Sequence, residues 1–223
     1  MRTAAILPLK RFPAAKSRLH EAVGQPARRE LAAAMAEDVM TALGEVATLE
    51  WIVVVTAEPR AAAPARRLGA MVVADLDESG QSAAVQRGID HALALGAERV
   101  LCVPGDCPAL DPADVASLLR EAPEPAGREV IVVPDRHGTG TNALVLTPPG
   151  VMAPSFGPGS CERHLRLATA AGAATSLEHP PSLLLDIDTG ADLEALRERF
   201  TLDGGGRAAR TRAKLDGLAA AAH

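Results

Sequence analysis

Two aspartates spaced two apart, in Leu185-Asp186-Ile187-Asp188-Thr189, form the pattern in this chain best suited to holding a cation. The apolar stretch 183–187 reads as a strand, whose period of two would set both carboxylates on one face. Their mutual repulsion there is best relieved by a divalent ion. Asp188 can instead cap the following helix, but Thr189 is able to do that equally well. A third carboxylate, Asp106, follows the apolar run 99–103 in the tight turn Val103-Pro104-Gly105-Asp106-Cys107-Pro108. There it can ligate magnesium, which usually keeps water and substrate phosphates as its other ligands, or it can accept from turn amides.

Chemistry on anions is suggested by the loop after the run 4–9, which carries four cations, Lys10, Arg11, Lys16 and Arg18. It lacks the glycines of a P-loop, so side chains would have to grip the phosphate. Taken alone, such a charge run reads equally well as a solvated surface. Two further turns suit a second anion. Gly138-Thr139-Gly140-Thr141-Asn142 offers amides and hydroxyls ahead of a strand. Phe156-Gly157-Pro158-Gly159-Ser160 leads into a helical pattern over 161–170, whose N-terminus attracts phosphate or carboxylate. Cations, three aspartates and two anion-binding turns together describe a site for phosphoryl or nucleotidyl transfer.

Positioning these residues requires a scaffold, and the apolar runs 4–9, 51–55, 70–73, 99–103, 129–133, 142–146 and 183–187 have strand length. Several are rich in Val and Ile without polar alternation, as in strands buried on both faces of a parallel sheet. Between them, Leu31, Met35, Val39 and Leu43 recur at a spacing of four, as do Val85, Ile89 and Leu93. Each stripe gives a helix one apolar face. Asp111-Pro112 opens a helix that buries Val115, Leu118 and Leu119, and Thr189 with Asp192 forms a capping box before Leu193, Leu196 and Phe200. Alternation of strand and helix predicts a doubly wound three-layer α/β sandwich with a mostly parallel sheet. In such sheets ligands bind beyond the carboxyl ends of the strands, where the three aspartates and the cations fall. The expected organisation is one domain over 1–203, followed after Gly204-Gly205-Gly206 by a flexible tail over 204–223.

At 223 residues and 48% hydrophobic content, the chain is long enough for a full core without staples. Cys102, Cys107 and Cys161 are odd in number and form no C-x-x-C pair, which argues against a disulfide framework or structural zinc. A net charge of -5, no Tyr, one Trp and three Phe leave neither a basic field nor a stacking platform for nucleic acid. No run approaches the roughly 18 apolar residues of a membrane span, and residues 1–10 are too short for a signal peptide. A cytoplasmic protein is expected.

Five ordered segments resemble the phosphoenolpyruvate or 2-phospho-L-lactate guanylyltransferase family of coenzyme F(420) biosynthesis. They are P-L-K-x5-K-S-R-L, P-G-D-C-P-A-L, D-R-H-G-T-G-T-N-A-L, F-G-P-G-S followed by Arg163-His164, and L-D-I-D-T-G-A-D-L. The resemblance implies a nucleotide-diphospho-sugar transferase type of fold, GTP as donor, a phosphorylated three-carbon acid as acceptor and Mg2+ as cofactor. Position by position, it implies Asp106, Asp186 and Asp188 as metal ligands and Thr141, Gly157 and Ser160 as acceptor contacts. Lys10, Lys16 and Arg18 would meet the GTP phosphates, and Lys10, Lys16 and Asp106 would be catalytic. Gly80 and Ser82 would lie on the GTP side, although Gly80-Gln81-Ser82-Ala83-Ala84 departs from the family's G-L-N-A-A. Phosphoenolpyruvate is the favoured acceptor, with 2-phospho-L-lactate and 3-phosphoglycerate as alternatives, and the product would pass to the downstream deazaflavin transferase. A non-catalytic module binding GTP or a phosphometabolite is the reading from a different class. Because the acceptor phosphate is already largely ionised, His137 and His164 are not expected to transfer protons.

Overall fold

The computed structural model describes residues 1–12, 19, 23–120, 127–203 and 206–220. Strands β1 (Thr3–Leu9), β2 (Trp51–Thr56), β3 (Met71–Ala74), β4 (Arg99–Cys102), β5 (Glu129–Pro134), β6 (Thr141–Thr147) and β7 (Ala174–Leu177) form one sheet in the order β3-β2-β1-β4-β6-β5-β7. Only β6 runs against its neighbours; the β1–β2, β2–β3, β1–β4 and β5–β7 pairs are parallel.

The three-layer arrangement follows from pleat alternation in strands that are apolar on both sides. On one face Ala5, Leu7 and Leu9 pack with Val39 and Leu43 of α1 (Gln25–Gly44), Ala61 of α2 (Pro59–Arg67) and Val115 of α4 (Pro112–Leu118). On the other, Ala4, Ile6, Val53 and Val55 meet Val85 and Ile89 of α3 (Gln81–Ala94) and Ala168 of α5 (Ser160–Ala170). Leu93, expected on the buried stripe of α3, is exposed. A third cluster joins Leu31 and Met35 of α1 to Leu185 and Ile187, to Leu193, Leu196 and Phe200 of α6 (Gly190–Leu202), and to Leu215 of α7 (Ala209–Ala220).

Strand order reverses at β1, because β2 and β3 extend the sheet to one side and β4 begins the other. The crevice beyond the carboxyl ends of β1 and β4 is therefore the switch point at which α/β sheets bind ligands. Antiparallel β6 brings its own start to the same edge: Cys102 pairs with Leu144, so the chain leaving β4 runs beside Thr141 and Asn142.

Two further expectations from the sequence are corrected. Residues 183–187 are not a strand; a short 3-10 helix, Pro181–Leu183, leads into irregular backbone. Pro180 and Pro181 have no N–H to give a sheet ladder, and the Ile187 amide donates to the Asp106 carbonyl at 3.0 Å. The seventh strand is instead β7, a mostly exposed edge whose Ala-Thr-Ser-Leu sequence carries little strand signal. The second correction concerns the tail: residues 209–220 form α7, docked on α1. Buried Asp38 accepts from the Thr211 amide and hydroxyl, each at 2.7 Å, and the Arg212 guanidinium lies 3.9 Å above the Phe200 ring. Replacing Asp38 by alanine strands these donors, at a cost of about 2 kcal/mol. The expected reading is a Tm lower by about 4–8 °C with unaltered activity per folded molecule. An unchanged Tm would show that α7 adds nothing to stability.

Candidate active site

Asp106, Asp186 and Asp188 converge. One carboxylate oxygen from each lies within 4.8 Å of the others, and all three residues are half-buried. The hydrogen bond from Ile187 N to Asp106 O stitches the two carrier segments together. Gly105 permits the turn to sit this low, since a Cβ there would meet Leu9 Cδ2 at 2.1 Å. Asn142 Nδ2 donates to the Leu183 carbonyl at 2.9 Å and to Asp186 Oδ1 at 3.2 Å, tying β6 to the carboxylate.

Helix capping belongs to Thr189 rather than Asp188. Thr189 Oγ1 accepts from the Asp192 amide, while Asp192 Oδ2 accepts from the Thr189 amide at 2.7 Å and from the Asp188 amide at 3.1 Å. Arg136 Nη2 lies 2.6 Å from Asp192 Oδ1 and anchors the same network. The aspartates are thus set by backbone that other side chains hold. Burial, then the neighbouring Asp106, pushes the Asp186 carboxyl up to about 6, with Asp188 adding to the effect and the Asn142 hydrogen bond opposing it. An all-oxygen set of crowded carboxylates has the donor chemistry of a hard divalent cation.

The two candidate anion turns adjoin one another. Thr141 Oγ1 lies 3.0 Å from Nδ1 of buried His164 on α5, and the Cys161 amide donates to Thr139 O at 3.1 Å. Ser160 is buried at the start of α5, behind Gly157 and Gly159, whose φ values of +113° and +69° favour glycine. Arg163 clamps this turn through Ser155 O, Phe156 O and Pro158 O. Ser82 Oγ accepts from the Phe156 amide at 2.8 Å, so the first turn of α3 is fastened to the same segment. Gly80 caps α3 with φ +105° and open space around its Cα.

On the cationic side, Lys10 is exposed at the end of β1, and Arg11 pairs with Glu78 at 3.1 Å, bringing that loop to the turn before α3. Lys16 and Arg18 lie outside the described residues. A groove of about 400 Å³ between α1 and residues 206–210 contains none of these groups. Arg136 and His164 are supports that residue type and spacing did not single out; Asn142 figured only as the end of the turn 138–142, and Asp192 only as the capping-box partner of Thr189.

Comparison with known proteins bears on the family and the fold. A family model described as "Guanylyl transferase CofC like" matches residues 3–214. The chain is 50% identical over 218 residues to a phosphoenolpyruvate guanylyltransferase of Conexibacter woesei, covering 98% of this chain and 97% of that protein. It is 35% identical over 196 residues to a protein of the same name from Sphaerobacter thermophilus, covering 88% and 93%. Among solved structures, a putative nucleotide-diphospho-sugar transferase from Desulfovibrio desulfuricans has the same fold, with a TM-score of 0.72 at 18% identity over 98% of this chain and 97% of that one. With carboxylates and anion turns set at the switch point of such a sheet, the chain belongs to the CofC-like guanylyl transferase family.

Proposed function

We propose that this protein transfers the guanylyl group of GTP to phosphoenolpyruvate, giving enolpyruvyl-diphospho-5'-guanosine and pyrophosphate, as a step of coenzyme F(420) biosynthesis in the cytoplasm. The observation that carries the reading is the meeting of Asp106, Asp186 and Asp188 beside the Thr141 and Ser160 turns. A phosphate oxygen of the acceptor bonds to the α-phosphorus of GTP, and the bond from that phosphorus to the pyrophosphate oxygen breaks.

Both substrates are anions. Two unit charges 4 Å apart repel by roughly 4 kcal/mol at an effective dielectric near 20, so neutralising charge is the first requirement. Mg2+ held by Asp106, Asp186 and Asp188 supplies part of that neutralisation. Lys10, Lys16 and Arg18 meet the GTP phosphates, with Gly80 and Ser82 on the nucleoside side. Thr141, Gly157 and Ser160 hold the acceptor. A proton acceptor is not required, because a phosphate monoester with a second pKa of about 6 arrives largely ionised. Burial and the adjacent Arg163 hold His164 down at about 4, and both of its ring nitrogens are already engaged.

The test is incubation with GTP, Mg2+ and an equimolar mixture of phosphoenolpyruvate, 2-phospho-L-lactate and 3-phosphoglycerate, followed by pyrophosphate assay and mass analysis of the product. Pyrophosphate release with the enolpyruvyl product dominant is expected, and chelation of the metal should abolish it. GTP binding without pyrophosphate release would make the chain a binding module, and a dominant lactyl or glyceryl product would reassign the acceptor.

A further inference from the structure

His164 makes two hydrogen bonds whose directions can be deduced. The Ser155 amide can only donate, so at 2.9 Å it requires Nε2 of the ring to be bare. The one ring proton then sits on Nδ1, and the 3.0 Å contact to Thr141 is a bond from Nδ1–H to Oγ1. A buried ring that feels the positive charge of Arg163 stays neutral, which agrees with this tautomer. Its orientation is fixed further by the Phe156 ring, set edge-on with centroids 5.0 Å apart.

The consequence falls on Thr141. Its hydroxyl oxygen accepts from the ring, so its own proton must be donated elsewhere, and among the described residues no acceptor takes it. We propose that His164 is a positioning residue for the acceptor substrate: protonated on Nδ1 and bare on Nε2, it holds the Thr141 hydroxyl so that its proton is presented to an unprotonated oxygen of the phosphorylated acid. The inference rests on the reading that Thr141 contacts that acid. The opposite tautomer would turn the Thr141 hydroxyl inward as a donor to the ring and face a lone pair toward an anion. Because the same ring holds the Ser155 amide, β6 and the turn before α5 are set as one unit.

The first measurement needs no variant. Two-bond 1H–15N correlation on the histidine-labelled protein should show a neutral ring protonated at Nδ1; a ring protonated at Nε2 overturns the proposal. Kinetics with phosphoenolpyruvate, GTP and Mg2+ then separate the claims. Thr141→Val should raise the KM for phosphoenolpyruvate about tenfold, the size of one lost hydrogen bond to a charged group, with the KM for GTP unchanged. If it does not, the contact assigned to Thr141 fails. If it does, His164→Gln, which keeps an acceptor for Ser155 but places no donor at the Nδ1 position, should raise the same KM by a similar factor. His164→Asn, whose amide nitrogen falls near that position, should stay within about threefold of wild type. Combining Thr141→Val with His164→Gln should add no further loss. A Gln variant with unchanged KM for phosphoenolpyruvate, or with both KM values raised alike, leaves His164 only a packing role and overturns the proposal.

Discussion

Exchange of Asp188 for asparagine is expected to slow guanylyl transfer by about a hundredfold to a thousandfold while leaving the Tm within about 2 °C. The first figure follows from removing one of three negative charges that meet within 4.8 Å, at a site whose task is to bring two anions together. The second follows from the capping geometry. Thr189 is the N-cap, its reciprocal partner is Asp192, and the Asp188 amide that donates to Asp192 survives the substitution. Steady-state kinetics paired with thermal unfolding decide the matter. A variant that unfolds readily yet keeps its activity per folded molecule would return Asp188 to a structural role.

Asp186→Asn is expected to abolish transfer and at the same time stabilise the metal-free protein. Its carboxyl is pushed from the ordinary 3.8 to about 6, first by burial and then by Asp106. A group whose folded pKa is raised contributes stability that is fully present below about 3.8 and is lost as pH rises through about 6. Above that range the metal-free fold carries an ionised carboxylate it would rather protonate. Discounted for solvent screening of a half-buried group, the burden is about 1–2 kcal/mol, so at pH 7.5 the asparagine variant should melt about 2–8 °C higher. The difference should vanish below about pH 4. Magnesium should raise the Tm of the wild type above pH 6 and lose this effect on acidification, as the proton competes for the same oxygen. A lower Tm for the metal-free variant at pH 7.5 would show that Asp186 stabilises the fold through contacts and is not strained by its neighbours.

Six of the seven strands were legible because each is a short apolar run, several of them rich in Val and Ile, a property of the residues themselves. The capping of α4 by Asp111 and of α6 by Thr189 was legible for the same reason, since a cap is satisfied within three residues. The reading of 183–187 failed where a local period of two met a distant demand. The Ile187 amide is taken by the Asp106 carbonyl, and two prolines deny the segment a ladder. The two aspartates nonetheless face a common point, for a reason other than strand alternation. The tail was misjudged because its apolar stripe is weak, and the acceptor that pins it, Asp38, lies more than 170 residues away.

Much of the inventory was thus determined by the residues alone: which segments other than 174–187 and the tail become strands or helices, which side chains carry charge, and a family resemblance dense enough to name the chemistry. The tertiary structure alone decided that Asp106 meets Asp186 and Asp188, that Asn142 and Asp192 hold them, and that His164 faces Thr141. Propensity and charge belong to a residue and its near neighbours, whereas distance across the site is set by strand order. Here the reversal at β1 and the antiparallel course of β6 bring the ends of β1 and β4 and the start of β6 to one edge.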